Sequence, residues 1–134
     1  MNPSEVVQQW IRAINERDLE GIVSCFAEDY EDEAPARTGE TVHGRDQVRA
    51  NFERLLVSMP DLRAEVRTVV DQGDSVWMEW VMRGTRTDGT RMEFVGVNLF
   101  EVAAGVLRRG RIYTELVRHA GGLGGQVDRM TTGS

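Results

Sequence analysis

Five carboxylates stand within six positions of the stretch FAEDYEDEAP, residues 26–35: Glu28, Asp29, Glu31, Asp32 and Glu33, interrupted only by Tyr30. Such a cluster could hold a metal, supply a catalytic base or form a solvated edge. A metal needs carboxylates that converge, whereas consecutive residues of an extended chain point alternately to opposite faces. With residues 30–34 extended, Tyr30, Asp32 and Ala34 share one face, while Glu31 and Glu33 turn outward to water. Glu28 and Asp29 are expected to end a preceding helix as solvated residues. No metal site is expected. Asp32 is the carboxylate of interest: beneath Trp10 and Trp80 it would be partly desolvated, and its pKa would rise toward the range useful for proton transfer. The alternative is a wet rim that Asp32 merely solvates.

Asn98 is the second candidate, a polar side chain in the middle of FVGVNLF. A buried amide left without a partner costs about 1–3 kcal/mol, so a ligand or a structural water is expected there. Tyr30 and Tyr113 could donate to a bound oxygen, although Tyr113 shares its strand face with Arg109 and Arg111, which reads as outward. Trp10, Trp80, Met82 and Phe94 sit at core spacing and would both pack the interior and line any cavity. Arg108, Arg109 and Arg111 suit cross-strand pairing with Glu79, Glu93 and Glu101. His43 and His119 lack an evident carboxylate to orient them, and lone Cys25 reads as buried filler.

The elements that must position these residues follow from the period of the apolar positions. Val6, Trp10, Ala13 and Ile14 recur at helical spacing after the start signals Pro3 and Ser4. Asp18 caps a second helix, LEGIVSCFAED, and a loop ARTGETVHG leads to a third, GRDQVRANFERLLVSMPDL, with Asp46 as cap, Val48, Phe52, Leu55 and Leu56 as its stripe and Pro60 as its stop. Beyond Pro60 the period becomes two. LRAEVRTVVD, SVWMEWVMRGTR, TRMEFVGVNLFEV and VLRRGRIYTELV read as strands joined by the turns DQGD, TDG and AAG. Helices first and an antiparallel meander afterwards define an α+β fold with the sheet wrapped around the helices. Val76, Met78, Trp80 and Met82 face the core. The opposite face carries Trp77, Val81, Val95, Val97 and Leu99, an apolar patch that a sheet-to-sheet homodimer would cover.

At 134 residues the chain is one domain, here divided into a body at 1–118 and a glycine-rich, flexible tail at 119–134 that could fold over the cavity mouth. Its net charge is −6 and its basic residues are sixteen scattered arginines, which excludes the basic stripe of a nucleic-acid binder. No long apolar run or export pattern is present, so a cytoplasmic protein without a membrane partner is expected.

INERDLEGIVSCFAEDY, VHGRDQVRANFERLLVSMPDL and WMEWVMRGTRTDG followed by MEFVGVNLFEV resemble, in order and spacing, the SnoaL-like, ketosteroid-isomerase-like branch of the nuclear-transport-factor-two-like superfamily. The likeness spans roughly residues 4 to 117. It implies a cystatin-like cone: a curved antiparallel sheet around three N-terminal helices, enclosing one apolar pocket for small hydrophobic molecules. It also implies positions for the chemistry. The isomerases' helix tyrosine falls on Trp10, their basic aspartate on Ala34 and their protonated aspartate on Asn98. The Asp–Arg–Asp trio of the epoxide hydrolases falls on Trp80, Met82 and Ile112, and the acid of the cyclases falls on Ile112, all apolar here.

Two functions remain open at this point. One is a cofactor-independent enzyme, a cyclase, isomerase or epoxide-opening hydrolase for a polyketide-like or terpenoid-like substrate. Asp32 would transfer the proton, Asn98 and Trp10 would polarise the substrate oxygen, and Tyr30, Trp80, Met82, Phe94, Ile112 and Tyr113 would bind the substrate. The other is a non-catalytic binding or dimeric assembly module of the same fold.

Overall fold

The computed structural model describes residues 1–39, 41–119 and 121–132. Helix α1 (Pro3–Asn15) begins at Pro3, as the start signals suggest, and the Asn2 side chain caps it by accepting from the Glu5 amide at 3.0 Å. Its buried stripe includes Val6, Val7, Trp10 and Ile14. Asn15 fastens the end of α1 to the sheet: its amide accepts from Ala64 N at 2.8 Å and donates to Ala64 O at 2.9 Å. Asp18 caps α2 (Leu19–Ser24) through the Gly21 amide.

Strand β1 (Phe26–Glu33) starts where the sequence reading still has helix. The apolar spacing of Ile22, Val23 and Phe26 fits a helix, but the chain turns at Cys25, whose carbonyl accepts from Leu107 N at 2.8 Å. Sheet pairing thus overrides a weak local preference. Glu28 and Asp29 are exposed strand residues instead of helix-end residues. A short strand β2 (Thr41–His43) lies in the expected loop and pairs with β1. Helix α3 (Gly44–Ser58) then begins at its cap residue His43, not at Asp46; the His43 amide donates to Gln47 Oε1 at 2.5 Å.

The remaining strands are β3 (Arg63–Gln72), β4 (Ser75–Thr85), β5 (Arg91–Ala103), β6 (Val106–Ile112) and β7 (Glu115–Leu116). The last expected strand is therefore two, broken at Tyr113 and Thr114. The sheet has seven strands in the order β2-β1-β6-β5-β4-β3, with β7 on β5. It is antiparallel except that β1 runs parallel to β6. It curves around the helices without closing, and α1 crosses its inner face, so the fold is the α+β arrangement that the alternation implies, shaped as the cone that the resemblance implies. The tail contains a helix, α4 (Gly122–Thr132), that buries none of its residues. Ala120, Gly133 and Ser134 of that tail lie outside the described residues. No described helix is long and apolar enough to cross a membrane.

Val76, Met78, Trp80 and Met82 are all buried, as their alternation requires. On the outer face Trp77 is 50 % exposed, but Val81 is buried. Val81 therefore does not belong to an open patch.

Candidate active site

Strand register fixes which candidates meet inside the cone. Asn98 on β5 lies opposite Met78 on β4 and Ile112 on β6. Glu33 pairs with Arg111, so Ala34 follows beside Ile112 at the end of the same inward row. The next inward row joins Asp32, Gly110, Phe100 and Val76. Asn98 and Asp32 thus occupy adjacent rows of one concave face, separated across the sheet by β6.

Asn98 is 2 % exposed and is the one polar residue in the core among the described residues. Its oxygen is satisfied by a side chain that sequence reasoning missed. Thr114 Oγ1 donates to Asn98 Oδ1 at 2.8 Å, and Trp80 Nε1 donates to Thr114 Oγ1 at 2.6 Å. Among the described residues the Asn98 nitrogen has no acceptor. Thr114 reaches this place because Gly96 has no side chain. A Cβ there would stand 2.2 Å from Tyr113 O and 2.6 Å from Thr114 Cα. A glycine inside an otherwise apolar strand signals close backbone approach, and this was the available clue.

Trp10 projects from α1 over this face. Its ring centroid is 5.2 Å from Trp80 and 5.6 Å from Phe100, with Phe26 and Phe52 making two further edge contacts. Trp80 lies opposite Gly96 and Phe100 is two residues beyond Asn98, so Trp10 packs on the rings that flank the amide. Among the described residues its buried Nε1 has no hydrogen-bond partner. Two N–H donors without acceptors are therefore built into one apolar region.

Asp32 is half-buried and accepts from the Tyr30 hydroxyl at 2.7 Å. Burial pushes its carboxyl above the usual range, opposed by the Tyr30 hydrogen bond, the Val42 amide and the charge of His43. Tyr30 itself is 1 % exposed, and burial together with the neighbouring carboxylate holds its hydroxyl firmly protonated. Tyr30 is not a free donor for substrate, because that hydroxyl is committed to Asp32. Tyr113 is 43 % exposed and does not line the interior. The β6–β7 break that delivers Thr114 inward leaves Tyr113 outward.

Trp80 and Met82 are packed core residues; Phe94 and Ile112 are half-buried against that core, together with Phe52 and Leu55 of α3. Two clefts stand out, and they are bordered mainly by outward residues. A groove of ≈ 460 Å³ runs over Trp77, Leu99, Glu101, Arg109 and Arg111 and is bordered by Asp32 and Gly110. Another, of ≈ 640 Å³, lies by Arg63, Arg83 and Arg91. Arg109 approaches Glu101 at 4.0 Å, as expected, but Arg108 approaches Asp29 and Glu93 pairs with Arg83. Cys25 is buried, which pushes its thiol up to about 11.

The curved, unclosed sheet around the helices is an NTF2-like, ketosteroid-isomerase-like fold. Residues 7–110 match the SnoaL-like domain, and the chain belongs to that family. No curated protein matches the sequence. Among solved structures, a Mycobacterium tuberculosis protein in complex with estradiol-17β-hemisuccinate is similar at TM-score 0.75 and 19 % identity, covering 87 % of this chain and 98 % of that one. SalBIII, described as an epoxide hydrolase/cyclase-like enzyme in pyran ring formation in polyether salinomycin, is similar at TM-score 0.73 and 22 % identity over 84 % and 90 % of the two chains. IdmH from Streptomyces antibioticus, a polyketide cyclase candidate, is similar at TM-score 0.68 and 24 % identity over 87 % and 92 %.

Proposed function

We propose that this protein is a cofactor-independent enzyme that isomerises, cyclises or opens an epoxide in a hydrophobic polyketide-like or terpenoid-like substrate. The observation that carries this reading is the buried Trp10 Nε1 without a partner, packed on the rings that flank Asn98. A buried unsatisfied donor costs about 1–3 kcal/mol, a cost that a ligand oxygen would offset on binding. The similar structures support the reading: one holds a steroid hemisuccinate, one is a polyketide cyclase candidate and one takes part in pyran ring formation in a polyether.

In this mechanism Phe94, Ile112, Phe52 and the Trp80 ring hold the apolar body. Asn98 Nδ2 and Trp10 Nε1 donate to the substrate oxygen and favour it as negative charge develops there. Asp32 transfers the proton. As carboxylate it removes one from carbon next to a carbonyl; as acid it delivers one to an opening epoxide. Burial raises its pKa, and the Tyr30 hydroxyl steadies the charged form. No step calls on a cofactor. Turnover of a panel of apolar ketones, enones and epoxides tests the reading, with Asp32→Asn as the control. Full activity in that variant removes Asp32 from the mechanism.

A binding module is the second reading, favoured by Ala34, Met82 and Ile112, which are apolar where the family resemblance leads one to expect acids. Tight binding without turnover in the wild type would establish it. In either case the protein works in the cytoplasm as a homodimer. The half-exposed Trp77 with Val70 and Val95 on the outer face is the surface for the second copy.

A further inference from the structure

The hydrogen bonds around Thr114 have a direction. An indole N–H only donates, so Trp80 Nε1 uses a lone pair of the Thr114 oxygen. The hydroxyl has a single hydrogen, and its partner is Asn98 Oδ1. Turning the amide over would set an NH2 group against Thr114 and leave the hydroxyl hydrogen without an acceptor. The amide is therefore locked with its oxygen toward Thr114 and its nitrogen away from it.

Resting on the small-molecule reading above and deepening it, we infer that Thr114 is a positioning residue that fixes which end of the Asn98 amide a ligand meets, the donating nitrogen. Asn98 Nδ2 and Trp10 Nε1 both offer hydrogens, and neither can accept one. The ligand class this selects is one whose buried polar atom is purely an acceptor: a ketone, ester, ether or epoxide oxygen. A matching alcohol can take a hydrogen bond from the same donors, but its own hydrogen is left to compete for the second lone pairs of Asn98 Oδ1 and Thr114 Oγ1, which already serve Thr114 and Trp80. Gly96 belongs to the same device, since only a residue without Cβ lets the Tyr113–Thr114 break press against β5.

The test compares 2-decalone with 2-decalol by titration calorimetry. The wild type is expected to bind the ketone about ten-fold or more tightly than the alcohol, the effect of one buried hydrogen bond lost. Thr114→Val frees the amide to turn and should bring the two affinities within about three-fold, while Thr114→Ser restores the preference. A ratio unchanged in Thr114→Val, or no ketone preference in the wild type, overturns the specificity. Amide NMR decides the orientation without any ligand. Strong NOEs from the Asn98 side-chain NH2 protons to Thr114 Hβ and Hγ2 would overturn it; NOEs to the surrounding aromatic rings are expected. Binding of neither probe would remove the functional reading together with the specificity, while the amide orientation would still stand or fall on the spectrum.

Discussion

Tyr30 donates its hydroxyl to Asp32, two residues further along the same face of β1, at 2.7 Å. The tyrosine is sealed in the core and the aspartate is half-buried, so the pair spans the passage from interior to rim. Tyr30→Phe would remove the hydrogen bond that favours the charged carboxylate and leave burial in place. The Asp32 pKa should then rise further, and the acid limb of the pH–rate profile should move to higher pH. An acid limb that does not move, with Asp32→Asn inactive, would place the limb on another group.

Asp32→Asn has a distinct stability signature. The folded-state pKa is raised, so the native protein binds the proton more tightly than the unfolded chain, and this group's contribution to stability is lost as pH rises through the folded value. The native fold is therefore penalised at neutral pH by a half-buried charge that Asn does not carry. The variant should melt at the same or higher temperature at pH 7, and its advantage should shrink as the pH falls below the usual carboxylate range. Melting scans at pH 3 and pH 7 decide it; an advantage larger at pH 3 would contradict the sign.

Much of this arrangement was legible before the structure. The alternation of Tyr30, Asp32 and Ala34, and of Val76, Met78, Trp80 and Met82, follows from the two-residue period alone. What escaped was set by contacts distant in sequence. The chain leaves α2 at Cys25 because β6 is there to pair with it, and no local spacing records that. Thr114 escaped because a continuous strand through VLRRGRIYTELV is the simplest reading, and the break shows itself only through Gly96 on another strand. A donor to ligand is the simplest sequence reading of Tyr30, because nothing local shows that its partner is Asp32.

Gly96→Ala tests that close approach directly. The added methyl meets backbone atoms on β5's neighbour, which cannot swing aside as a flexible side chain can. The φ of +156° adds backbone strain for any residue with a Cβ. Overpacking of this kind costs about 1–3 kcal/mol, read as a lower denaturant midpoint with unchanged slope. The Trp80 indole proton resonance should shift as well, because Thr114 is displaced from it. A variant as stable as the wild type with an unmoved indole resonance would mean that the break does not press on β5.

Trp77 tests the outer face. It is 50 % exposed on β4, with Leu99 opposite it on β5 and Arg111 opposite Leu99 on β6, so one row of the outer face runs from aromatic to aliphatic to cationic. An indole left half in water gains apolar burial when a second sheet packs over it, whereas a lysine in its place would have to be desolvated. Trp77→Lys should therefore convert a dimer to a monomer in sedimentation velocity at micromolar concentration, with the monomer's fold retained by circular dichroism. The interior ketone site should survive, because Trp77 and Trp80 face opposite sides of β4. A wild type that sediments as a monomer would remove the dimer, and a Trp77→Lys variant that remains dimeric would move the interface to another face.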